Sequence, residues 1–291
     1  MYTTVSPPTD TVLDTIGNTP CVRLKHIVRE GYANIFLKLE YFNPTGPYKD
    51  RMAKSMIEAA EKRGGLKAGM TVVEASGRKY RGLKGLVVSS NAFALEKLQT
   101  MRAFGTKVDI IQSPSGKIRA DLIPSMTRRV AEHTKDPQIY WTDQFNNRDA
   151  VVGYQVLGSE LTSQFPNGID AFCGAVGTAG MVMGVADVLK SRWPECRVAI
   201  LEPASSPCIS EGRTGTHHIE GIGIGIIPPL LSKNLVMCRR LAKEEGLLVG
   251  TSTGLNVAGA LRLAKELGSG KTVITVACDT ELRYMNCDLF T

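Results

Sequence analysis

No apolar run in this chain reaches the roughly 18 residues that cross a bilayer. The longest candidate, 219–231, is broken by Glu220, Pro228 and Pro229, so no transmembrane segment is expected. The opening MYTTVSPPTD has neither a basic start nor an apolar stretch, which leaves no sign of a signal peptide and points to a cytoplasmic protein. Cysteines number seven, an odd and scattered set without a CxxC pair, and this argues against a disulfide scaffold or a zinc ribbon. The four histidines form no HExxH. Like charges are not clustered either: the formal charge is +7, but Arg128–Arg129 and Arg239–Arg240 lie on helix-like stretches that also carry acids. Nucleic-acid binding is therefore not expected, and a basic protein that binds small anions accounts for the balance.

Present instead is the composition of a globular protein, 43% hydrophobic and 22% charged, with length enough for two domains. Short β-branched or apolar runs at 35–39, 71–74, 85–89, 107–111, 171–176, 197–202 and 272–277 are predicted strands. They are interleaved with amphipathic stretches at 49–63, 94–104, 118–133, 150–164, 181–192, 236–246 and 255–267, which are predicted helices. The alternation predicts an α/β fold with mostly parallel sheets covered by helices. The unbroken AFCGAV run reads as a strand buried on both faces.

Several loops fall where such strands end. In Asn43-Pro44-Thr45-Gly46-Pro47-Tyr48-Lys49-Asp50-Arg51 a Pro/Gly turn delivers Lys49 to a helix N-terminus, whose positive end favours the neutral, nucleophilic amine. A solvated surface lysine fits the same pattern. Val176-Gly177-Thr178-Ala179-Gly180-Met181 follows the buried strand and opens a helix, an arrangement suited to a phosphate and equally to a tight structural turn. It has neither Walker nor GxGxxG spacing. Glu74-Ala75-Ser76-Gly77, also at a strand end, could offer a hydroxyl and an N–H to an anion. Gly221-Ile222-Gly223-Ile224-Gly225 allows close backbone approach or a core crossing, and Thr280 after the last strand could meet a heteroaromatic nitrogen. In Asp143-Gln144-Phe145-Asn146-Asn147 the amides could touch a carboxylate or cap the loop, and Gly250-Thr251-Ser252-Thr253-Gly254 reads as an anion nest or an N-cap.

Taken in order, these segments resemble the cysteine synthase family of fold-type II pyridoxal-phosphate enzymes, whose fold is like that of the tryptophan synthase β chain. The resemblance rests on Ile16-Gly17-Asn18-Thr19-Pro20, the Lys49 segment, Glu202-Pro203, the Gly-Ile-Gly run, and Cys278-Asp279-Thr280 with Arg283-Tyr284. It implies two open, twisted, mostly parallel sheets, with residues 1–39 and 137–291 in a larger cofactor-holding domain and 40–136 in a smaller mobile one. It implies pyridoxal 5'-phosphate on Lys49, which later acts as acid and base at Cα. Gly177, Thr178, Ala179, Gly180 and Met181 would hold the phosphate and Thr280 would face the pyridine nitrogen. Ser76, Gly77, Gln144 and Gly221 would line the substrate. The implied reaction is β-replacement, making L-cysteine from O-acetyl-L-serine and sulfide, in a homodimer. Family members also bind the C-terminal tail of a serine acetyltransferase.

Within that resemblance a cystathionine β-synthase, an O-phosphoserine-dependent synthase, a serine/threonine dehydratase and a non-catalytic cofactor-binding homologue are the alternatives. The sequence departs from the family in two places. Ser76-Gly77 runs straight into Arg78-Lys79-Tyr80-Arg81 with no counterpart to the family's following asparagine, and the stretch after Pro228-Pro229-Leu230 is short. Met181 stands where relatives often have threonine, and Ala179 where glycine is frequent.

Overall fold

Segments 171–175 and 272–277 carry too few polar side chains to face water, and both lie inside a sheet. The computed structural model describes residues 8–74, 84–114, 121–204, 207–213 and 231–283. Five strands form the larger sheet: β1 (Cys21–Arg23), β2 (Asn34–Leu39), β7 (Ala171–Ala175), β8 (Arg197–Leu201) and β9 (Thr272–Ala277), in the order β1-β2-β9-β7-β8. Only the β1–β2 pair is antiparallel. All five residues of β7 are buried.

Strand residues alternate between two cores, as the pleat requires. Cys173, Val273 and Ala277 join Ile35 and Leu37 beneath α6 (Leu231–Glu245) and α7 (Thr251–Leu267). Phe172, Ile274 and Val276 point the other way, against α1 (Lys49–Lys62), α4 (Asp149–Gln164) and α5 (Gly180–Arg192).

The second sheet has the order β5-β4-β3-β6, all parallel, from β3 (Thr71–Glu74), β4 (Lys84–Ser90), β5 (Lys107–Ile111) and β6 (Ile139–Trp141). Val73 and Val88 pack under α3 (Leu122–His133), and Val87 packs under α2 (Leu95–Ala103). Two helix-covered, mostly parallel sheets are the expected fold class. The expected boundary at 136/137 is not where the sheets divide, because Val72 and Val73 pair with Tyr140 and Trp141. The smaller sheet therefore draws on residues through 141.

Helix α1 serves both cores. Met52 and Met56 are buried against Tyr154 and Leu157 of α4, whereas Ile57 and Ala60 face Leu66 of the following loop and Val72 and Tyr140 of the smaller sheet. Past its end Gly64 takes φ +72°, the left-handed C′ position that Gly fills without strain. Between the parallel neighbours β3 and β4 the sequence leaves residues 75–83, fewer than the dozen or more that a helical crossover takes.

Candidate active site

Strands β2, β9 and β7 are adjacent and parallel, so their carboxyl ends open on one edge, where α/β sheets bind ligands. The chain leaving β2 leads to Lys49, the chain leaving β9 to Thr280, and the chain leaving β7 to Gly177–Met181. Three separate parts of the sequence thus meet at one place. Pro47 pairs with Asp279, and the Tyr48 N–H donates to the Cys278 carbonyl at 3.0 Å, which seats the lysine turn on the end of β9. Tyr154, 1% exposed, ties two of these parts together. Its ring lies 5.6 Å from that of Tyr48, and a Cβ added to Gly180 would stand 3.5 Å from it.

The turn before Lys49 is held by buried charge. Asp50 accepts from the Thr45 N–H at 2.9 Å and the Thr45 hydroxyl at 2.5 Å. Arg51 donates to Glu40 at 2.6 and 2.8 Å and to Glu160 at 2.7 and 2.8 Å. Lys38, fully buried, adds a 2.7 Å bond to Glu160 and another to the Thr19 carbonyl. The opening Gly17-Asn18-Thr19 docks on the same cluster: Gly17 N–H donates to Asn43, Asn18 N–H to Glu160, and the Thr19 hydroxyl to Glu40. The two most distinctive sequence motifs are therefore halves of one structure. Burial would raise the Glu160 carboxyl, but hydrogen bonds and charge from Arg51, then Lys38, outweigh it and hold it at about 2. Burial likewise works against the Arg51 guanidinium, and Glu40 and Glu160 more than reverse this, raising it.

At the β7 end, Ala179 takes φ +62° and precedes α5 without a side-chain cap. A Cβ added to Gly180 would stand 3.6 Å from the Thr178 hydroxyl oxygen, so that hydroxyl lies beside the first turn of α5, whose N–H groups lack intrahelical partners, a donor set that fits a phosphate. The Met181 side chain is 4% exposed and sits in the core, so only its backbone can serve a ligand. Thr280, paired with Val249, donates to the Leu248 carbonyl at 3.4 Å, a long contact that leaves the hydroxyl easily turned. A phosphorylated aromatic aldehyde, held by Lys49 at one end and by the α5 N-terminus at the other, matches these groups. The Cys278 thiol beside them is no rival nucleophile, since burial pushes it up to about 12.

Beyond Phe172↔Ile274 the β7–β9 ladder opens, and buried Asn256 spans the gap. Its amide donates to the Val276 carbonyl at 2.7 Å and accepts from the Ala175 N–H at 2.8 Å. Sequence reading missed this residue; its signal was a lone amide on the apolar face of α7. Tyr154 was missed too, being indistinguishable from any core aromatic. Gln144 is buried at the end of β6, and its N–H donates to Glu74 at 2.9 Å. Ser76, Gly77 and Gly221 lie outside the described residues. Among the described residues no His/Cys/Asp/Glu group suits a metal, and no helix is long and apolar enough to cross a membrane.

The model of a family described as "Pyridoxal-phosphate dependent enzyme" matches residues 12–279. The cysteine synthase of Staphylococcus aureus is 35% identical over 309 aligned positions, covering 97% of each chain. That alignment is longer than the 291-residue chain, so the relative carries internal residues that this chain lacks. The crystal structure of cysteine synthase (OASS) from Entamoeba histolytica has a TM-score of 0.86 at 26% identity, covering 100% of this chain and 94% of that one. An O-acetylserine dependent cystathionine beta-synthase from Helicobacter pylori has a TM-score of 0.85 at 28% identity, covering 98% and 100%. With Lys49, the Gly177–Met181 loop and Thr280 gathered at one sheet edge, the chain belongs to the cysteine synthase family of pyridoxal-phosphate dependent enzymes.

Proposed function

We propose that the protein makes L-cysteine by β-replacement, exchanging the acetate of O-acetyl-L-serine for sulfide. The observation that carries this reading is the convergence of Lys49, the Gly177–Met181 loop and Thr280 on the shared edge of β2, β9 and β7. Pyridoxal 5'-phosphate, when bound, supplies the electron sink for charge at the substrate Cα. Lys49 would hold the cofactor and would take the substrate Cα proton. Backbone N–H groups of Gly177–Met181 and the Thr178 hydroxyl bind the phosphate. Thr280 presents a hydroxyl, not a carboxylate, to the ring nitrogen, which restrains charge there and favours elimination over transamination. Ser76, Gly77, Gln144 and Gly221 bind the substrate. Acetate leaves Cβ, sulfide enters at the same carbon, and the proton held by Lys49 returns to Cα.

The smaller part, residues 40–136 extended to include β6, closes over the substrate and limits hydrolysis. The proposal includes a homodimer in the cytoplasm and docking of a serine acetyltransferase C-terminal tail. Exposed Val152, Val156 and Met183, on adjoining faces of α4 and α5, support a self-association surface. Likeness over the full length of the Helicobacter pylori structure favours cystathionine formation as a second reading.

The test is to supply O-acetylserine with sulfide or with homocysteine and to identify the product. Cysteine from sulfide is expected. Cystathionine alone would select the second reading, and pyruvate alone a dehydratase. Turnover only with O-phosphoserine would change the donor. A bound cofactor whose absorption does not respond to any of these would make the chain a non-catalytic homologue.

A further inference from the structure

Strands β3 and β6 pair in parallel up to Val73↔Trp141, and the Thr142 N–H then donates to the Val73 carbonyl at 3.3 Å. From there a side chain continues the connection. Glu74 Oε2 accepts the Thr142 hydroxyl at 2.6 Å and the Gln144 N–H at 2.9 Å. Between these two donors Asp143 takes φ +50°, a conformation that costs a non-glycine residue about 1 kcal/mol or more. One carboxylate oxygen therefore holds both sides of a strained turn. The far side is fastened as well. The Asp143 carbonyl accepts from the Asn146 and Asn147 N–H groups at 3.0 and 2.9 Å, and the Asn147 amide donates to the Thr142 carbonyl at 2.9 Å. Gln144, 3% exposed, leaves the chain from the middle of this clasp. Both bonds to Glu74 act on a turn that must be held against its own strain.

We propose that Glu74 is a positioning residue for substrate binding, fixing the Gln144 amide at the carboxylate end of the amino-acid substrate. The proposal rests on the reading of Gln144 as a ligand of that carboxylate. It assigns Glu74 no contact with substrate or cofactor; its effect is exerted through the 142–144 turn and belongs in KM.

The test is steady-state kinetics with O-acetylserine on the cofactor-loaded Glu74→Ala, Glu74→Gln, Thr142→Val and Gln144→Ala variants, with cofactor absorption recorded for each. Expected for Glu74→Ala is a KM raised about tenfold with kcat within about threefold of wild type and the absorption unchanged. Glu74→Gln, which keeps a carbonyl acceptor in place, stays within about threefold of wild type in both constants. Thr142→Val, which removes one donor and leaves the backbone pair, raises KM in the same direction by less. If Gln144→Ala raises KM while Glu74→Ala and Thr142→Val do not, the positioning role falls and the substrate reading stands. If Gln144→Ala leaves KM unchanged, the substrate reading itself falls. Should Glu74→Ala not fold, Thr142→Val and Glu74→Gln decide: a KM unmoved by the former, or a kcat loss in the latter, overturns the role.

Discussion

Glu160 shows how a residue remote in sequence governs the lysine turn. Its carboxylate meets Arg51, Lys38 and the Asn18 N–H, and its side chain is 11% exposed. Because its folded pKa of about 2 lies below the ordinary 4.5, its contribution is complete above about pH 4.5 and is lost as pH falls toward 2. Glu160→Gln is expected to lower stability at neutral pH by about 3 kcal/mol, since it leaves two buried cations short of a partner. It should also flatten the stability profile between pH 4.5 and 2, which denaturant melts across that window would read. Ala179 poses the opposite case. Its φ of +62° is a conformation glycine takes without a Cβ penalty, so Ala179→Gly is expected to gain up to about 1 kcal/mol, seen as a raised Tm of the cofactor-free protein.

Among the elements, the α1–α4 pair decides where Lys49 stands. Gly153 of α4 meets the first turn of α1 so closely that an added Cβ would lie 2.6 Å from the Arg51 carbonyl oxygen. Gly153→Ala must push that turn away, and a cost of about 1–3 kcal/mol with a weakened hold on the cofactor is expected. Thermal melts and cofactor titration check both. Most elements were legible in the sequence, because the unbroken apolar run at 171–175 marks a strand buried on both faces and helices such as α4 are long enough to show their period. Strands β1 and β6 were not, since three residues carry no alternation. Helix α7 starts at Thr251, not at the expected 255, because Gly250-Thr251-Ser252-Thr253-Gly254 has the composition of a loop. Its Thr253 hydroxyl accepts the Cys278 N–H at 3.0 Å, a tertiary bond that turns that composition into a helix start.

For the molecule as a whole, the site was legible as a set of motifs but not as a machine. The Gly17–Thr19 and Lys49 segments were recognisable separately; that they share Glu40 and Glu160 as anchors needed the fold. The same holds for Glu74, whose hold on the 142–144 turn crosses between two strands distant in sequence. The proposed chemistry depends on the amine of Lys49, so the most direct test is to reduce the cofactor-loaded protein with borohydride and map the labelled peptide. A pyridoxyl group is expected on Lys49, in the peptide containing Pro47-Tyr48-Lys49-Asp50, with no label in Lys49→Ala. Label on another lysine, or an unlabelled protein that still binds the cofactor, would contradict it.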